Sequence, residues 1–443
     1  MQTPLHTRHV SRSNRRKFLK TVTVAGVAIS SVEMPRIARA RDLAGKINVG
    51  LIGLGVRGYE LHEDLRRCKG VRVAGISDLS EHYFDRIKPR LENPQTPAHY
   101  DYRRLLDDRE IDAIIIATPD HWHAAMTLDA LAASKDVYIE KPLTYSLEEA
   151  VRVRDKARET GRVTQVGYQR RSIEHFYKAR EIVRSGILGE ITQIQLWSSR
   201  NRAASPWRKY NDYNTEGLPA KSGPEHVDWN RFQANRPARP YDARRFFHWQ
   251  CYEEYSTGIF GILMSHPLDA ANLVLGLDAP ESCSATGGIY RYKDDRTVPD
   301  TCNALLNYPS RNLTVSFIGS SNNEYFNQEA QYRGTHGTLD LGTGGLRIYA
   351  EKRNALFEKF AAQPSSDRWS NLRSAPVFEE RAKSGSSTLA HLEDFLDQVR
   401  TRGQCKAPVS EGFKAMVGVA MAIQSYRTQR TVRWDSKRDE ISG

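Results

Sequence analysis

The sequence predicts an α/β domain built on a parallel sheet, followed by an α+β domain with a mostly antiparallel open sheet. Three observations carry this. From Lys46 onward, apolar strand-like runs alternate with helical stretches. The first run ends in glycines at 53, 55 and 58. Beyond Gly167 the pattern changes to segments that alternate apolar and polar residues, as half-exposed strands do. At 443 residues, 39% hydrophobic and 27% charged, the chain has globular composition and length enough for two buried cores.

The first strand and its loop lie in KINVGLIGLGVRG, residues 46–58. Gly53, Gly55 and Gly58 have GxGxxG spacing, which between a strand and a helix makes a bed for a dinucleotide pyrophosphate, the Rossmann fingerprint. Gly53 permits the tight turn, Gly55 lets backbone amides approach the phosphates, and Gly58 lets the helix pack on the strand. The helix is expected to start at that last glycine and run over 59–69, with a second strand over 71–77. That strand ends at Asp78, whose carboxylate can accept hydrogen bonds from the adenosine ribose hydroxyls. It favours NAD over NADP, because it would repel a 2′-phosphate and Leu79, Ser80 and Glu81 bring no arginine to receive one. A surface aspartate in a turn is the plainer reading.

A helical turn follows over 102–106 and a strand, apolar on both faces, over 112–118. Pro119 ends it and Asp120 is placed to cap a helix through Leu131. A strand over 136–139 leads into Glu140, Lys141 and Pro142; a helix over 147–159 and a strand over 163–167 complete the first domain, 46–167. Loops at Gly53, Pro119 and Glu140 should meet at the ligand crevice. The second domain, 168–435, is expected to hold a helix over 173–185, a half-exposed antiparallel strand over 190–199, and strands near 282–290, 303–307, 313–317, 329–333 and 347–349. Residues 342–345 read as a turn, and helices over 389–400 and 412–426 finish the fold. Residues 200–254, rich in Arg, Pro, Trp and Tyr, read as a long loop region packed over something.

Residues 14–20, NRRKFLK, match a twin-arginine export pattern, followed by a modest apolar segment over 21–32 and small residues at Ala38-Arg39-Ala40. The reading is a signal over residues 1–40, recognised by the twin-arginine export machinery and cleaved after Ala40, with a periplasmic or otherwise extracytoplasmic mature protein. A basic surface helix or a membrane anchor is the alternative. Residues 1–40 carry eight Lys or Arg against one acidic residue, leaving +5 of the formal +12 for the rest. With no Lys/Arg block and no nucleic-acid module there, no nucleic-acid partner is expected. Cys68, Cys251, Cys283, Cys302 and Cys405 follow no CxxC or zinc spacing, so each reads as a small buried apolar group rather than part of a disulfide or metal framework.

Several segments together resemble the glucose-fructose oxidoreductase, inositol dehydrogenase and rhizopine-catabolism family, Gfo/Idh/MocA. They are GLIGLGVRG, TPDHWHAAMTLDALAASKDVYIEKPL over 118–143, QVGYQRRS over 165–172, YRGTHGTL over 332–339 and HLEDFLDQVR near the end. The resemblance implies a Rossmann domain plus a C-terminal sheet domain, a pyridine nucleotide between them, a sugar or cyclitol substrate, and a homo-oligomer built through the C-terminal sheet. It implies cofactor contact at Gly53, Leu54, Gly55, Val56, Arg57, Gly58, Asp78, Thr118, Pro119, His123, Glu140 and Lys141, and substrate contact at Tyr168, Arg171, His266 and Asp269. It assigns catalysis to Lys141, whose ammonium can stabilise an alkoxide as a hydroxyl loses its proton, and to His266. A surface ion pair with Glu140 is the bland reading of Lys141, and a satisfied buried histidine that of His266. The family's aspartate four residues before the histidine is Ile262 here, so His266 needs another partner, Asp269 or Lys141 being candidates, or the chemistry departs from simple dehydrogenation.

His121-Trp122-His123 has too few ligands nearby for a metal site, and no metal is expected. The aromatics and arginines of 200–250, among them Trp207, Tyr210, Trp229, Arg244, Arg245 and Trp249, suit either a carbohydrate or an oligomer contact. Two enzymatic readings result: an exported NAD-dependent oxidoreductase of a sugar, glycoside or cyclitol with a retained cofactor, or a glycoside hydrolase that oxidises a ring carbon transiently, eliminates the aglycone and reduces again. A nucleotide-bound binding protein is the third.

Overall fold

The computed structural model describes residues 45–201, 207, 218–327, 329–351 and 376–443; the expected export signal and Tyr210 lie outside them. The first domain is the parallel sheet that the alternation predicts. Its strands are β1 (Ile47–Ile52), β2 (Val71–Ser77), β3 (Ala98–His99), β4 (Ala113–Ile116), β5 (Asp136–Ile139) and β6 (Thr164–Val166), in the order β3-β2-β1-β4-β5-β6. This is the doubly wound dinucleotide order, with the strand sequence reversing between β1 and β4. Every residue of β4 and β5 is buried, as helices on both faces require.

Helix α1 (Val56–Leu65) begins three residues earlier than expected, with Gly55 as its N-cap. Gly58 therefore sits in the first turn: a Cβ there would lie 1.8 Å from the Gly53 carbonyl oxygen. The short helices α2 (Glu81–Ile87) and α3 (Arg103–Asp107) flank β3. Helix α4 (Asp120–Ala132) corrects the capping assignment: Pro119 is the N-cap and Asp120 the first helical residue, its carboxylate turned toward Thr257. Helix α5 (Leu147–Thr160) has a reciprocal Ser146–Glu149 capping box and stops at Gly161, φ +61°.

After α6 (Glu174–Arg184), the second sheet starts with β7 (Ile191–Asn201). Between them and the rest of the sheet lie the short helices α7 (Trp229–Gln233) and α8 (Ala243–Phe247) and then α9 (Ser265–Leu275). The remaining strands are β8 (Ser282–Gly288), β9 (Thr301–Tyr308), β10 (Leu313–Ser320), β11 (Asn322–Asn323), β12 (Glu329–Gly334), β13 (Gly337–Gly342), β14 (Gly345–Ala350), β15 (Phe378–Arg381), β16 (Val432–Asp435) and β17 (Glu440–Ser442). Their order is β15-β14-β13-β12-β7-β10-β9-β8-β16-β17, with β11 on β7. The expectation that β7 is an antiparallel strand is half corrected. It pairs antiparallel with β12 but parallel with β10, because it enters the middle of the sheet from the first domain and later hairpins complete the sheet on either side.

Along β10 the burial alternates; the helices cover one face, while Leu305 and Ile318 remain 49% and 41% exposed on the other. Helix α10 (Ser387–Thr401) packs back on the first domain, its Leu392, Phe395, Leu396 and Val399 sharing a core with β1 and Tyr138. Helix α11 (Val409–Thr428) packs on α9, β8 and α5. All five cysteines are buried free thiols. Among the described residues no helix is long and apolar enough to cross a membrane.

Candidate active site

The crevice forms where the carboxyl ends of β1, β2, β4 and β5 meet α9. Gly53 has φ +86°, and a Cβ on it would stand 2.6 Å from the Ala117 carbonyl oxygen. A Cβ on Gly55 would meet only Tyr83 Cζ, at 3.9 Å, so this glycine faces open space, as backbone that receives a pyrophosphate must. The Asp78 carboxylate accepts the backbone N–H of Leu54 at 2.7 Å, of Leu79 at 2.7 Å and of Ser80 at 3.0 Å, tying the glycine loop to the end of β2. Burial pushes its carboxyl up to about 6 against the pull of those three donors. The buried Thr118 hydroxyl has no hydrogen-bond partner. An open glycine loop, a carboxylate after β2 and an orphaned hydroxyl on the crevice wall together fit a dinucleotide.

At the end of β5, Glu140 does not pair with the Lys141 side chain. Its carboxylate takes Arg57 Nε at 2.7 Å, the Tyr138 hydroxyl at 3.3 Å and the Lys141 backbone N–H at 3.2 Å. Burial opposes the Glu140 charge; Arg57 and Lys141 overcome it and hold the carboxyl below its usual range. The peptide from Lys141 to Pro142 is cis, and Lys141 Nζ donates to the Ile262 carbonyl at 3.1 Å. Ile262 lies in a π-helical turn, Phe260–Met264, that runs into α9. In a π register the donor to its carbonyl would be residue 267, and Pro267 has no N–H. The backbone of Ile262 thus supplies an acceptor that its side chain cannot. Burial lowers the Lys141 ammonium from its ordinary value, and the carboxylates of Glu140 and Asp120 oppose that.

His266 stands on α9 with its ring edge-to-face on Tyr168, centroids 6.0 Å apart. Its Nδ1 and the Tyr168 hydroxyl have no hydrogen-bond partner. Burial, then Lys141, Arg170, Arg57 and Arg200, keep its pKa well below the usual histidine value, so the imidazole is neutral near pH 7. Arg171 and Asp269 are brought together, but with each other: Arg171 Nε reaches the two carboxylate oxygens at 2.8 and 3.0 Å, and its guanidinium also meets Glu411 at 3.0 Å. Asp269 is fully buried. His123 is buried between two backbone carbonyls, of Pro142 at 2.7 Å and Thr118 at 2.9 Å. His121 instead faces the Phe232 carbonyl at 2.7 Å, and burial drops its pKa to about 3. Among the described residues no group of three or more His, Cys, Asp or Glu could hold a metal.

The aromatic segment after residue 217 packs on the first domain. Val227 bridges Ser80 and the Asp228 N–H donates to the Leu79 carbonyl at 2.8 Å, directly beyond Asp78. Phe232, Phe246 and Trp249 then line a cavity of about 110 Å³ together with Asp78, Tyr83 and Trp122. These side chains roof the crevice where β2 ends at Asp78.

Residues 47–168 match the oxidoreductase family described as an NAD-binding Rossmann fold, GFO_IDH_MocA, and residues 180–433 match its C-terminal alpha/beta domain. The chain belongs to the Gfo/Idh/MocA oxidoreductase family. The Alpha-N-acetylgalactosaminidase of Shewanella oneidensis is 28% identical over 262 residues, 49% of this chain and 56% of that protein. The chain thus spans little more than half the length of such curated relatives. An uncharacterized oxidoreductase, YrbE, of Bacillus subtilis is 37% identical over 145 residues, 32% of this chain and 42% of that one. In fold, the chain is similar to a levoglucosan dehydrogenase in complex with NADH (TM-score 0.65, 16% identity, 88% of this chain and 99% of that one). It is also similar to the aldose-aldose oxidoreductase of Caulobacter crescentus complexed with glycerol (TM-score 0.62, 19% identity, 88% and 99%).

The first domain of this Gfo/Idh/MocA protein is therefore an NAD-binding Rossmann domain. Sequence reasoning missed Asp120 as a crevice residue and Phe232 and Phe246 as its roof, and it gave Trp249 to a carbohydrate or an oligomer where the structure places it on the cavity beside Asp78. A polar residue opening a helix reads as a cap whatever it touches, and the roof's aromatics have no periodicity that would name their partner.

Proposed function

We propose that this protein is an exported, NAD-dependent enzyme acting on a hydroxyl of a sugar, glycoside or cyclitol, and that it retains its nucleotide between turnovers. The observation that carries the reading is the Lys141 ammonium, held in the crevice by the carbonyl of Ile262, with His266 on the helix that continues the same turn and kept neutral by burial and by cations that include Lys141. NAD supplies the two-electron oxidation of a carbinol carbon. Lys141 exchanges its backbone acceptor for the substrate hydroxyl and stabilises the negative charge that grows as the proton leaves. His266, neutral at working pH, can accept that proton. Retention is supported by the roof over the adenosine end, and export by the residue 14–20 pattern, which suits a protein folded around its nucleotide before it leaves the cytoplasm. The exposed sheet face carrying Leu305 and Ile318 supports a homo-oligomer.

The similarity to an α-N-acetylgalactosaminidase favours a second reading, a redox-neutral glycosidase cycle on the same residues. One experiment tests both. The protein is purified without added nucleotide, denatured, and the released nucleotide identified by mass spectrometry; intact protein is then given 4-nitrophenyl N-acetyl-α-galactosaminide or levoglucosan. Stoichiometric NAD is expected. Nitrophenol release without an acceptor supports the cycle, a keto product supports net oxidation, and a protein with no nucleotide and no affinity for it overturns the reading.

A further inference from the structure

Asp120 is 2% exposed, and the hydrogen bonds to its carboxylate come from one residue of the second domain: Thr257 gives its N–H at 2.8 Å and its hydroxyl at 2.5 Å. Burying a carboxylate on such neutral donors is costly unless a cation faces it. Thr257 opens the segment that becomes the π turn. A Cβ on Gly261 would lie 1.8 Å from the Thr257 hydroxyl oxygen and 3.3 Å from Pro142 Cγ, so threonine, glycine and the proline after Lys141 are packed with no room to spare. A continuous path therefore runs from Asp120 through Thr257 and Gly261 to the Ile262 carbonyl, and from that carbonyl to Lys141 Nζ.

We propose that Asp120 is the positioning carboxylate of this active site: through Thr257 it fixes the turn that presents the Ile262 carbonyl to Lys141, and it supplies negative charge beside the ammonium. Glu140 is a second carboxylate acting on Lys141, but it is committed to Arg57; Arg57 and Arg200 act against the ammonium, and Lys141 in turn lowers His266. Burial raises the Asp120 carboxyl from its ordinary value; His123, the two Thr257 donors and Lys141 oppose that. Loss of its charge leaves the lysine easier to deprotonate.

The inference rests on the reading of the crevice as an NAD-dependent carbohydrate site. The test is the pH–rate profile of nucleotide-loaded protein with 4-nitrophenyl N-acetyl-α-galactosaminide and with levoglucosan, for wild type, Asp120→Asn and Thr257→Val. Asp120→Asn keeps the shape and removes the charge. Its alkaline limb is expected to move to lower pH by about one unit, a rate loss of about tenfold on that limb, with nucleotide content unchanged. Thr257→Val keeps the carboxylate and removes the hydroxyl, so kcat is expected to fall with the limb unmoved. A purely structural role would lower thermal stability without moving the limb. An Asp120→Asn profile superimposable on wild type overturns the proposal. Should Asp120→Asn not fold, Thr257→Val decides: wild-type kcat overturns the proposal, and a loss of kcat at unchanged KM supports it. Failure of the underlying reading looks different, because wild type itself then shows no turnover of either probe.

Discussion

Arg57 Nε donates to the Glu140 carboxylate at 2.7 Å, so one ion pair ties the glycine loop to the strand end that carries Lys141. The Glu140 side chain is 5% exposed and that of Arg57 27%. Glu140→Gln keeps the shape and leaves the guanidinium the outer carboxylate of Glu60 and the neutral Thr388 hydroxyl. A stability loss of about 1–3 kcal/mol is expected, together with weaker NAD binding, since both loops lose their tie. Thermal unfolding of the nucleotide-free protein and an NAD titration read the two effects separately.

The glycines separate folding from binding. In Gly58→Ala the new methyl group meets the Gly53 carbonyl, which cannot give way without moving the loop, so both the melting temperature and NAD binding should fall, the stability by about 1–3 kcal/mol. Gly55→Ala meets nothing closer than Tyr83 at 3.9 Å. It should melt like wild type and still bind NAD poorly, because its methyl group fills space the phosphates need.

Asp78 predicts opposite pH trends for stability and binding. Burial raises its folded-state carboxyl from 3.8 to about 6, so the fold binds this proton more tightly than the unfolded chain does. Its contribution to stability is full below about 3.8 and is lost as the pH rises through about 6. In the proposed complex the ribose hydroxyls need the ionised form, so NAD affinity should instead rise through about pH 6. Binding titrations from pH 5 to 8 check this; Asp78→Ala should bind weakly with no step in that range.

The Arg171–Asp269 pair is placed to hold α9 against the start of the second domain. Asp269→Asn leaves a buried guanidinium half compensated, and a stability loss of about 3 kcal/mol is expected with little change in KM. A raised KM at wild-type melting temperature would instead return Asp269 to the substrate.

Trp249 is half-buried in the roof of the cavity beside Asp78, the proposed adenosine site. An aromatic flanking a base is worth about 1–3 kcal/mol, so Trp249→Ala should release nucleotide faster by about ten- to a hundredfold while remaining folded. The fraction of protein still carrying nucleotide after gel filtration measures it.

The parallel domain was legible because its signals are local. A both-faces-buried strand such as β4 must be apolar throughout, a turn with φ +86° calls for glycine at 53, and α5 carries its cap and its stop in Ser146, Glu149 and Gly161. The second domain was less so. Strands β15, β16 and β17 are short, β13 is bounded by glycines at both ends, and their alternation competes with turns rich in glycine and charge. That β7 would lie parallel to β10 depends on where the chain leaves the first domain, which no window of residues records.

By itself the sequence determined the glycine loop, Asp78 after β2, and Lys141 next to a proline at the end of β5, because each is a demand that neighbouring residues place on one another. Tertiary structure alone decided the pairings. Glu140 goes to Arg57, Arg171 to Asp269, Lys141 to the carbonyl of Ile262, and Asp120 to Thr257. A charge finds its partner by which distant surfaces meet and how much water they exclude; for Lys141 with Ile262 and for Asp120 with Thr257, those distances are set only when the two domains close on each other.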